Sequence, residues 1–289
     1  MNRLLAALAA LCSALSVAAA DPAAPAPPPA ENPLNGALRA GKPVGGMTIT
    51  TSSADVVLQA ARSGFDFAWI EMEHSPITLE TARTMILATQ GTGLVPLIRV
   101  PINELWTAKR ALDSGALGIV FPFTSTPELA RQAVAACKYP PLGRRGAGAG
   151  LATLRWPAPQ GYANFADQNA LVVIIIEEKR AVENIDAILD VPGIDVVFIG
   201  PNDLSYSYGA RGQQTDEVKA AIATVVAAAK KRNLPVGRTA NAGDIKTHLE
   251  QGFTFFQGPS ELALLNAGTR PLLDAAGKSA PNPANRPLY

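Results

Sequence analysis

The run Leu171-Val172-Val173-Ile174-Ile175-Ile176 is apolar throughout, is dominated by β-branched residues, and leads directly into two carboxylates, Glu177-Glu178. Such a run is typical of a β-strand. Seven further runs of this kind alternate with amphipathic stretches, a pattern typical of repeated βα units. The eight predicted strands cover residues 46–50, 65–72, 95–100, 118–123, 171–176, 195–199, 235–239 and 253–256.

The stretches between these runs carry the end signals of helices. Thr126-Pro127-Glu128 combines an N-cap residue, a proline at the first helical position and an acid in the first turn. Thr215-Asp216-Glu217 opens another helix, which ends at the basic run Lys230-Lys231-Arg232. Its expected buried face consists of Val218, Ala221, Ile222, Val225 and Val226.

Eight βα units predict an α/β fold, a closed (β/α)8 TIM barrel whose active site lies at the C-terminal ends of the strands. An open, doubly wound sheet is the alternative. The glycine-rich turn that binds dinucleotides after the first strand of such sheets is absent, which favours the barrel.

The composition excludes some classes of function. With 25 Lys and Arg against 24 Asp and Glu, the net charge of +1 gives no electrostatic basis for binding nucleic acid or an anionic membrane surface. The expected partners are therefore small molecules.

The two ends of the chain differ from its middle. Residues 1–20 begin with one positive charge, continue as an apolar stretch and end in Ala18-Ala19-Ala20, which predicts a cleaved signal peptide and an exported protein, periplasmic or secreted; an uncleaved anchor is the alternative. Residues 21–33 predict a Pro/Ala-rich tether, 34–277 the barrel domain and 278–289 a Pro-rich tail. After cleavage one cysteine remains, Cys137, which we expect to pack in a helix.

Polar side chains cluster just past the predicted strand ends. They are Glu71-Met72-Glu73-His74, Arg99, Glu177-Glu178 and Asn202-Asp203. Two carboxylates from neighbouring strands suit a hard divalent cation such as Mg²⁺ or Mn²⁺. Alternate strand residues share a face, so Glu177 is the expected ligand if Ile175 faces the barrel interior, and Glu178 if it does not.

The chain has two histidines, and their positions differ. His248 lies near the end of a predicted helix, where an exposed imidazole is ordinary. His74 follows an apolar strand and an acid at the expected catalytic rim, where a group that titrates near neutral pH can carry protons.

Several segments, in order, resemble the HpcH/HpaI aldolase family, the class II pyruvate aldolases such as 4-hydroxy-2-oxoheptanedioate aldolase. Residues 67–76, FAWIEMEHSP, resemble its D-x-E-H-x-P signature, and 97–101, LIRVP, its Arg-bearing strand end. Residues 112–116, LDSGA, and 139–146, YPPLGRRG, resemble two further segments, and 199–205, IGPNDLS, a third. The resemblance extends from about residue 33 to about residue 273.

The resemblance implies a metal-dependent carbon–carbon lyase that interconverts a 4-hydroxy-2-oxo acid with pyruvate, or a similar 2-oxo acid, and an aldehyde. It implies that Glu177 and Asp203 hold a divalent metal, Mg²⁺ or Mn²⁺ with Co²⁺ as a further option, which chelates the 2-oxo acid. Arg99 would hydrogen-bond the keto oxygen. It also implies a homo-oligomer, a hexamer or trimer of dimers, whose last helix packs on a neighbouring subunit.

Further roles follow from the same resemblance. His74, oriented by Asp113, would handle the proton of the hydroxyl whose carbon–carbon bond breaks. Backbone N–H groups near Asn202 and Asp203 would bind the substrate carboxylate.

The chain departs from the family pattern at four places. Glu71 replaces the usual Asp, and Ile175 replaces a frequent Gln near the metal. The glycine-rich segment 146–156, expected to cover the site, is about one residue shorter than usual, and 258–261 replaces a segment that normally carries Asp. These departures leave His74, Arg99 and the carboxylate pair in place, so they bear on the substrate more than on the chemistry.

Two other functions remain open at this level. An exported barrel could bind a 2-oxo acid or dicarboxylate without catalysis, although such a binder has no need of His74 and Asp113. A lyase for acyl-CoA thioesters would want a basic nucleotide groove, which the neutral charge balance does not indicate.

Overall fold

A computed structural model describes residues 31–278 of the 289-residue chain. Eight parallel strands pair in sequence order, and β8 closes on β1, so the predicted (β/α)8 barrel is confirmed. The strands are β1 (Val44–Ile49), β2 (Phe67–Glu71), β3 (Val95–Arg99), β4 (Gly118–Phe121), β5 (Leu171–Ile176), β6 (Val196–Ile199), β7 (Val236–Thr239) and β8 (Phe255–Ser260).

Helices follow the strands and surround the barrel. They are α1 (Pro33–Arg39), α2 (Ala54–Arg62), α3 (Leu79–Ala88), α4 (Leu105–Asp113), α5 (Pro127–Cys137), α6 (Ala152–Arg155), α7 (Tyr162–Asn169), α8 (Lys179–Glu183), α9 (Ile185–Leu189), α10 (Pro201–Ser207), α11 (Asp216–Lys231), α12 (Ile245–Glu250) and α13 (Glu261–Ala275). Both predicted N-caps are confirmed: Thr126 accepts a hydrogen bond from the backbone N–H of Leu129, and Thr215 from that of Val218.

Aromatic side chains fill the barrel interior. The rings of Phe67 and Phe255 stack with centroids 4.6 Å apart, and those of Trp69 and Phe198 lie 5.0 Å apart. Leu171, Val173 and Ile175 belong to the same inner cluster, whereas Val172, Ile174 and Ile176 pack outward against the helices. The interior therefore takes the Ile175 face, and the next residue on that face is Glu177.

The first helix of the described residues, α1, begins at Pro33, one residue before the predicted start of the barrel domain at residue 34. The fully buried Asn32 caps this helix through its side chain. Asn32 also bonds to Asn169 at the end of α7, which ties the start of the domain to the barrel. The predicted signal peptide and most of the predicted tether and tail lie outside the described residues.

Two residues discussed above are buried. Cys137 is fully buried in α5, and burial raises the pKa of its thiol to about 12, as expected for a packing residue. The expectation of an exposed His248 was wrong, because its ring packs edge-on against Phe253, with centroids 5.9 Å apart. No helix within residues 31–278 has the length and apolar character needed to cross a membrane.

Candidate active site

The carboxyl ends of β2, β3 and β5 bring charged side chains to one rim of the barrel. On β2 the inward residues Phe67 and Trp69 are followed on the same face by Glu71, and on β3 Arg99 follows Val95 and Leu97. Glu177 follows Ile175 just beyond β5. The apolar interior thus ends in a charged layer at the rim where (β/α)8 enzymes carry their active sites.

Glu71 organises this rim, and its carboxylate is buried. It accepts hydrogen bonds from the Trp69 indole N–H (3.1 Å) and from the backbone N–H groups of Glu73 (2.8 Å) and His74 (3.1 Å). Arg99 Nε donates to Oε1 of Glu71 at 3.1 Å. These donors occupy both oxygens of Glu71, so this residue holds the loop after β2 and the Arg99 guanidinium in place.

Arg99 lies between two acids. Its Nη2 forms an ion pair at 2.7 Å with Oε2 of Glu73, a buried oxygen to which no group among residues 31–278 donates with hydrogen-bond geometry. Burial raises the pKa of Glu73, while the nearby Arg99 and His74 oppose that shift. His74 itself is exposed at the rim, with its Nε2 3.8 Å from Oε2 of Glu73.

Glu177 lies inside the barrel mouth and is buried. Its Oε1 accepts a 2.7 Å hydrogen bond from the backbone N–H of Phe123, in the loop after β4. Phe123 has a φ of 49°, a left-handed conformation that non-glycine residues seldom adopt. Burial raises the pKa of Glu177 to about 7, against the opposing effects of the Phe123 N–H and Arg99.

Asp203 and Asn202 lie in the first turn of α10, directly after β6. The first helical hydrogen bond is donated by Leu204 to the carbonyl of Gly200, so the N–H groups of Asn202 and Asp203 have no partner within the helix. Asp203 is close enough to raise the pKa of both Glu73 and Glu177 electrostatically. The structure therefore brings together Arg99, Glu177, Asp203 and, at the edge, His74 and Asn202.

These residues fit a divalent cation. The donors are hard carboxylate oxygens, and the charge repulsion among Glu73, Glu177 and Asp203, which adds to burial in raising the pKa of Glu73 and Glu177, is what a cation would relieve. Within residues 31–278 no group of three or more His, Cys, Asp or Glu side chains is arranged to coordinate a metal ion without other ligands. A cation held by Glu177 and Asp203 would therefore take its other ligands from water or substrate, as Mg²⁺ commonly does.

Gly200 makes room for Glu177. A Cβ at this position would lie 2.9 Å from Cβ and 3.0 Å from Oε2 of Glu177, closer than real contacts allow. We expect Gly200→Ala to lower the free energy of unfolding by about 1–3 kcal/mol, as overpacking does, and to displace Glu177. Denaturant unfolding and Mn²⁺ titration measure the two effects.

The matched control for this substitution is Gly36→Ala in α1, where an added Cβ meets nothing within 4 Å. It should raise stability by about 0.5–1 kcal/mol, because glycine is a poor helix former. Equal stability of the Gly200→Ala variant and the wild type would contradict the packing argument.

Asp113 does not lie at this rim, so within one chain it does not reach His74, and its role toward His74 stays a prediction. Asp113 ends α4 and precedes β4, which places it at the N-terminal ends of the strands, the opposite rim of the barrel. There it pairs with the buried Arg145 at 2.8 Å. Typical strands separate two such rims by about 17 Å.

The glycine-rich segment 146–156 lies at that same opposite rim, and it does not cover the site of its own chain. A Cβ on Gly148 would lie 3.0 Å from Oδ2 of Asp113, and the Trp156 indole donates to the carbonyl of Gly115 at 2.8 Å. The physical reason is the connectivity, because this segment lies between α5 and α7, in the connection that returns the chain to the start of β5.

Two acids of the predicted polar cluster, Glu71 and Glu73, were given no role from the sequence. They continue the inward face of Phe67 and Trp69, so the strand parity used for Glu177 would have predicted that both point into the barrel mouth. Glu261, in the segment that departs from the family pattern, accepts from the backbone N–H of Thr50 at 2.8 Å and joins the start of α13 to the end of β1.

Comparisons with known proteins agree with this geometry. The family model for HpcH/HpaI aldolase/citrate lyase matches residues 46–266. The chain is 34% identical over 239 residues to 2-dehydro-3,6-dideoxy-6-sulfogluconate aldolase of Pseudomonas putida, covering 82% of this chain and 94% of that protein. It is 36% identical over 226 residues to hydroxypyruvate/pyruvate aldolase of Roseobacter denitrificans, covering 77% and 88%.

A solved structure is similar over the whole barrel. The HpcH/HpaI aldolase/citrate lyase family protein from Burkholderia cenocepacia superposes with a TM-score of 0.79 and 30% identity, covering 86% of this chain and all of that one. The family match spans most of the chain, and the barrel rim carries the charged residues of the family segments. The chain therefore belongs to the HpcH/HpaI aldolase/citrate lyase family.

Proposed function

We propose that this protein is a class II pyruvate aldolase, which cleaves a 4-hydroxy-2-oxo acid to pyruvate, or a similar 2-oxo acid, and an aldehyde. The observation that carries this proposal is the rim on which Arg99, Glu177 and Asp203 converge beside the exposed His74. The relatives named above are aldolases, which supports the reaction class. We propose Mg²⁺ or Mn²⁺ as the cofactor, with Co²⁺ as a further candidate, held by Glu177 and Asp203.

His74 and Arg99 are proposed to act on different atoms of the substrate. His74 is exposed at the rim, where it can accept the proton of the 4-hydroxyl as the bond between C3 and C4 breaks and the aldehyde forms. The electron pair moves to the 2-oxo acid fragment as an enolate, and the fixed guanidinium of Arg99 stabilises the charge on its oxygen. The bound cation would supply Lewis acidity toward the same oxygen and the carboxylate. Return of the proton from His74 to C3, through water, then yields pyruvate and restores the neutral imidazole.

Neighbouring groups hold the proposed catalytic and binding groups in position. Glu71 and Glu73 hold the Arg99 guanidinium from two sides, so little reorganisation is needed when the negative charge develops. The N–H groups of Asn202 and Asp203, free at the start of α10, are available to the substrate carboxylate. Ile175 replaces an amide on the inner face of β5, which leaves an apolar wall below Glu177.

The test is a pyruvate-release assay with a panel of 4-hydroxy-2-oxo acids, run on EDTA-treated protein and after addition of Mg²⁺, Mn²⁺ or Co²⁺. Release that requires the added cation supports the proposal. Tight binding of 2-oxo acids without cleavage of any panel member would instead support a non-catalytic binder.

We further propose that the protein is a homo-oligomer, a hexamer or trimer of dimers. The helix α13 has no buried residue, and Leu262, Leu265 and Leu272 on one of its faces are 55%, 65% and 72% exposed. An apolar helix face of this kind marks an interaction site. In such an assembly Asp113 of a second copy can approach His74, which would restore the pairing that a single chain does not make.

We expect Leu265→Glu to lower the oligomeric mass measured by light scattering, because the charge would be buried against the neighbouring copy. Pyruvate release should fall with it if Asp113 acts between subunits. Leu87→Glu, at an exposed leucine of α3, is the control and should keep the mass of the wild type. An unchanged mass for Leu265→Glu would contradict the role of α13.

We also propose export, on the sequence of residues 1–20 alone. The mature chain should then begin near Asp21. N-terminal sequencing of protein recovered outside the cytoplasm tests this, and retention of Met1 or Asn2 on that protein would favour the uncleaved anchor.

A further inference from the structure

A groove of about 570 Å³ lies between α11 and α12, over the outer face of β7 and away from the rim described above. This volume is within the range of about 300–1,000 Å³ that small-molecule sites occupy. Ile222 and Val226 of α11 and the ring of Phe253 form its apolar wall, and Lys219, Lys230 and Arg238 are the charged residues that line it.

Arg238 points into this groove from β7. The adjacent Gly237 faces the barrel interior, where a Cβ would lie 2.9 Å from the rings of Phe198 and Phe255, so Arg238 faces outward. Its guanidinium carbon lies 5.2 Å from the centroid of the Phe253 ring, and its Nε is buried with no hydrogen-bond partner. Within residues 31–278 it forms no ion pair; burial lowers the pKa of Arg238, and only the more distant Asp244 opposes that shift.

The residues around Arg238 give the groove a lining that is partly basic and partly apolar. Lys230 Nζ donates to the carbonyl of Gln251 at 2.9 Å, and Lys219 Nζ pairs with Asp216 at 3.3 Å. Among residues 31–278 no acidic side chain lines the groove itself. Ile222 and Val226, which the helical pattern places on the buried face, are only half-buried because the groove lies over them.

We propose that this groove binds a small organic anion with an apolar body, a medium-chain or aromatic monocarboxylate. The carboxylate pairs with the Arg238 guanidinium, which presents two parallel donors to such a group. The apolar body lies along Ile222, Val226 and Phe253. This site is independent of the aldolase proposal, because Arg238 lies outside the barrel and the carboxylate rim inside it.

The test is calorimetric titration of the full-length protein with octanoate in the presence of EDTA. Octanoate should bind the wild type to saturation. Acetate lacks the apolar body and octanol lacks the charge, so each should bind at least about tenfold more weakly than octanoate. Arg238→Met should weaken octanoate binding by about tenfold or more, because it removes the charge and keeps the chain length. Arg131→Met, at an exposed arginine of α5, should bind octanoate like the wild type.

Two further variants keep the proposal falsifiable if Arg238→Met fails to fold. Ala227→Trp fills the groove from an exposed position of α11 and should abolish octanoate binding without changing the oligomeric mass. Arg99→Lys, which alters the cation of the rim, should bind octanoate like the wild type, which excludes binding at the rim. Equal affinity of the wild type and Ala227→Trp overturns the proposal. So does a fall in oligomeric mass with Ala227→Trp, since a second copy would then cover the groove.

Discussion

Replacing Glu177 by Gln should abolish Mn²⁺ binding and lower metal-dependent pyruvate release by roughly 10³-fold or more, because a bound cation contributes several kcal/mol to stabilising negative charge. The amide keeps the size of the side chain, and its oxygen can still accept from the backbone N–H of Phe123. It removes the charge that a cation requires, so the fold should remain while metal affinity is lost. Asp203→Asn should have the same two effects. Mn²⁺ titration and the pyruvate assay measure them.

The adjacent Glu178 provides the matched control. It follows Glu177 directly, hydrogen-bonds to Ser125 and is the N-cap residue of α8, so it faces away from the barrel mouth. Glu178→Gln should bind Mn²⁺ like the wild type. Loss of Mn²⁺ binding in Glu178→Gln, with normal binding in Glu177→Gln, would show that the metal lies on the other face of β5.

Removing the imidazole of His74 should lower the rate of aldol cleavage by about 10²–10⁴-fold, the usual contribution of a positioned acid–base group. The affinity of the His74→Ala variant for oxalate should change little, because oxalate has no hydroxyl at the position where His74 is proposed to act. The His74 ring is exposed, and its Nε2 lies near Glu73, at 3.8 Å, rather than near Glu71 or Arg99. His74→Ala therefore leaves the buried Glu71–Arg99 pair intact. Cleavage rates and oxalate calorimetry on the same preparations give the two values.

Arg99 provides the contrast. Arg99→Lys keeps one positive charge between Glu71 and Glu73 but loses the planar, multidentate donor set. It should weaken oxalate binding and cleavage together, since the keto oxygen is bound in the ground state and in the transition state. If His74→Ala lost oxalate affinity as strongly as Arg99→Lys does, His74 would be a binding residue and its proposed role would be wrong.

The barrel itself was predictable because its signals are local. A β-branched run such as 171–176 and a capped helix start such as Thr126-Pro127-Glu128 indicate their own structure without reference to distant residues. Strand parity is equally local, with a period of two residues, so the inward direction of Glu177 followed once Ile175 was known to face the interior. The roles of His74, Arg99, Asn202 and Asp203 in the chemistry stay predictions.

The amino-acid order alone thus specified eight βα units, the family, and the polar residues that follow the strands. The tertiary structure alone decided which of these residues meet. It saturates the carboxylate of Glu71 with four donors and places Asp113 beside Arg145 at the far rim. It also leaves one face of α13 exposed and places Arg238 in an amphiphilic groove. Such contacts depend on how strands and helices that are far apart in the chain pack around one barrel. The periodicity of a single segment does not encode which distant residues it will contact.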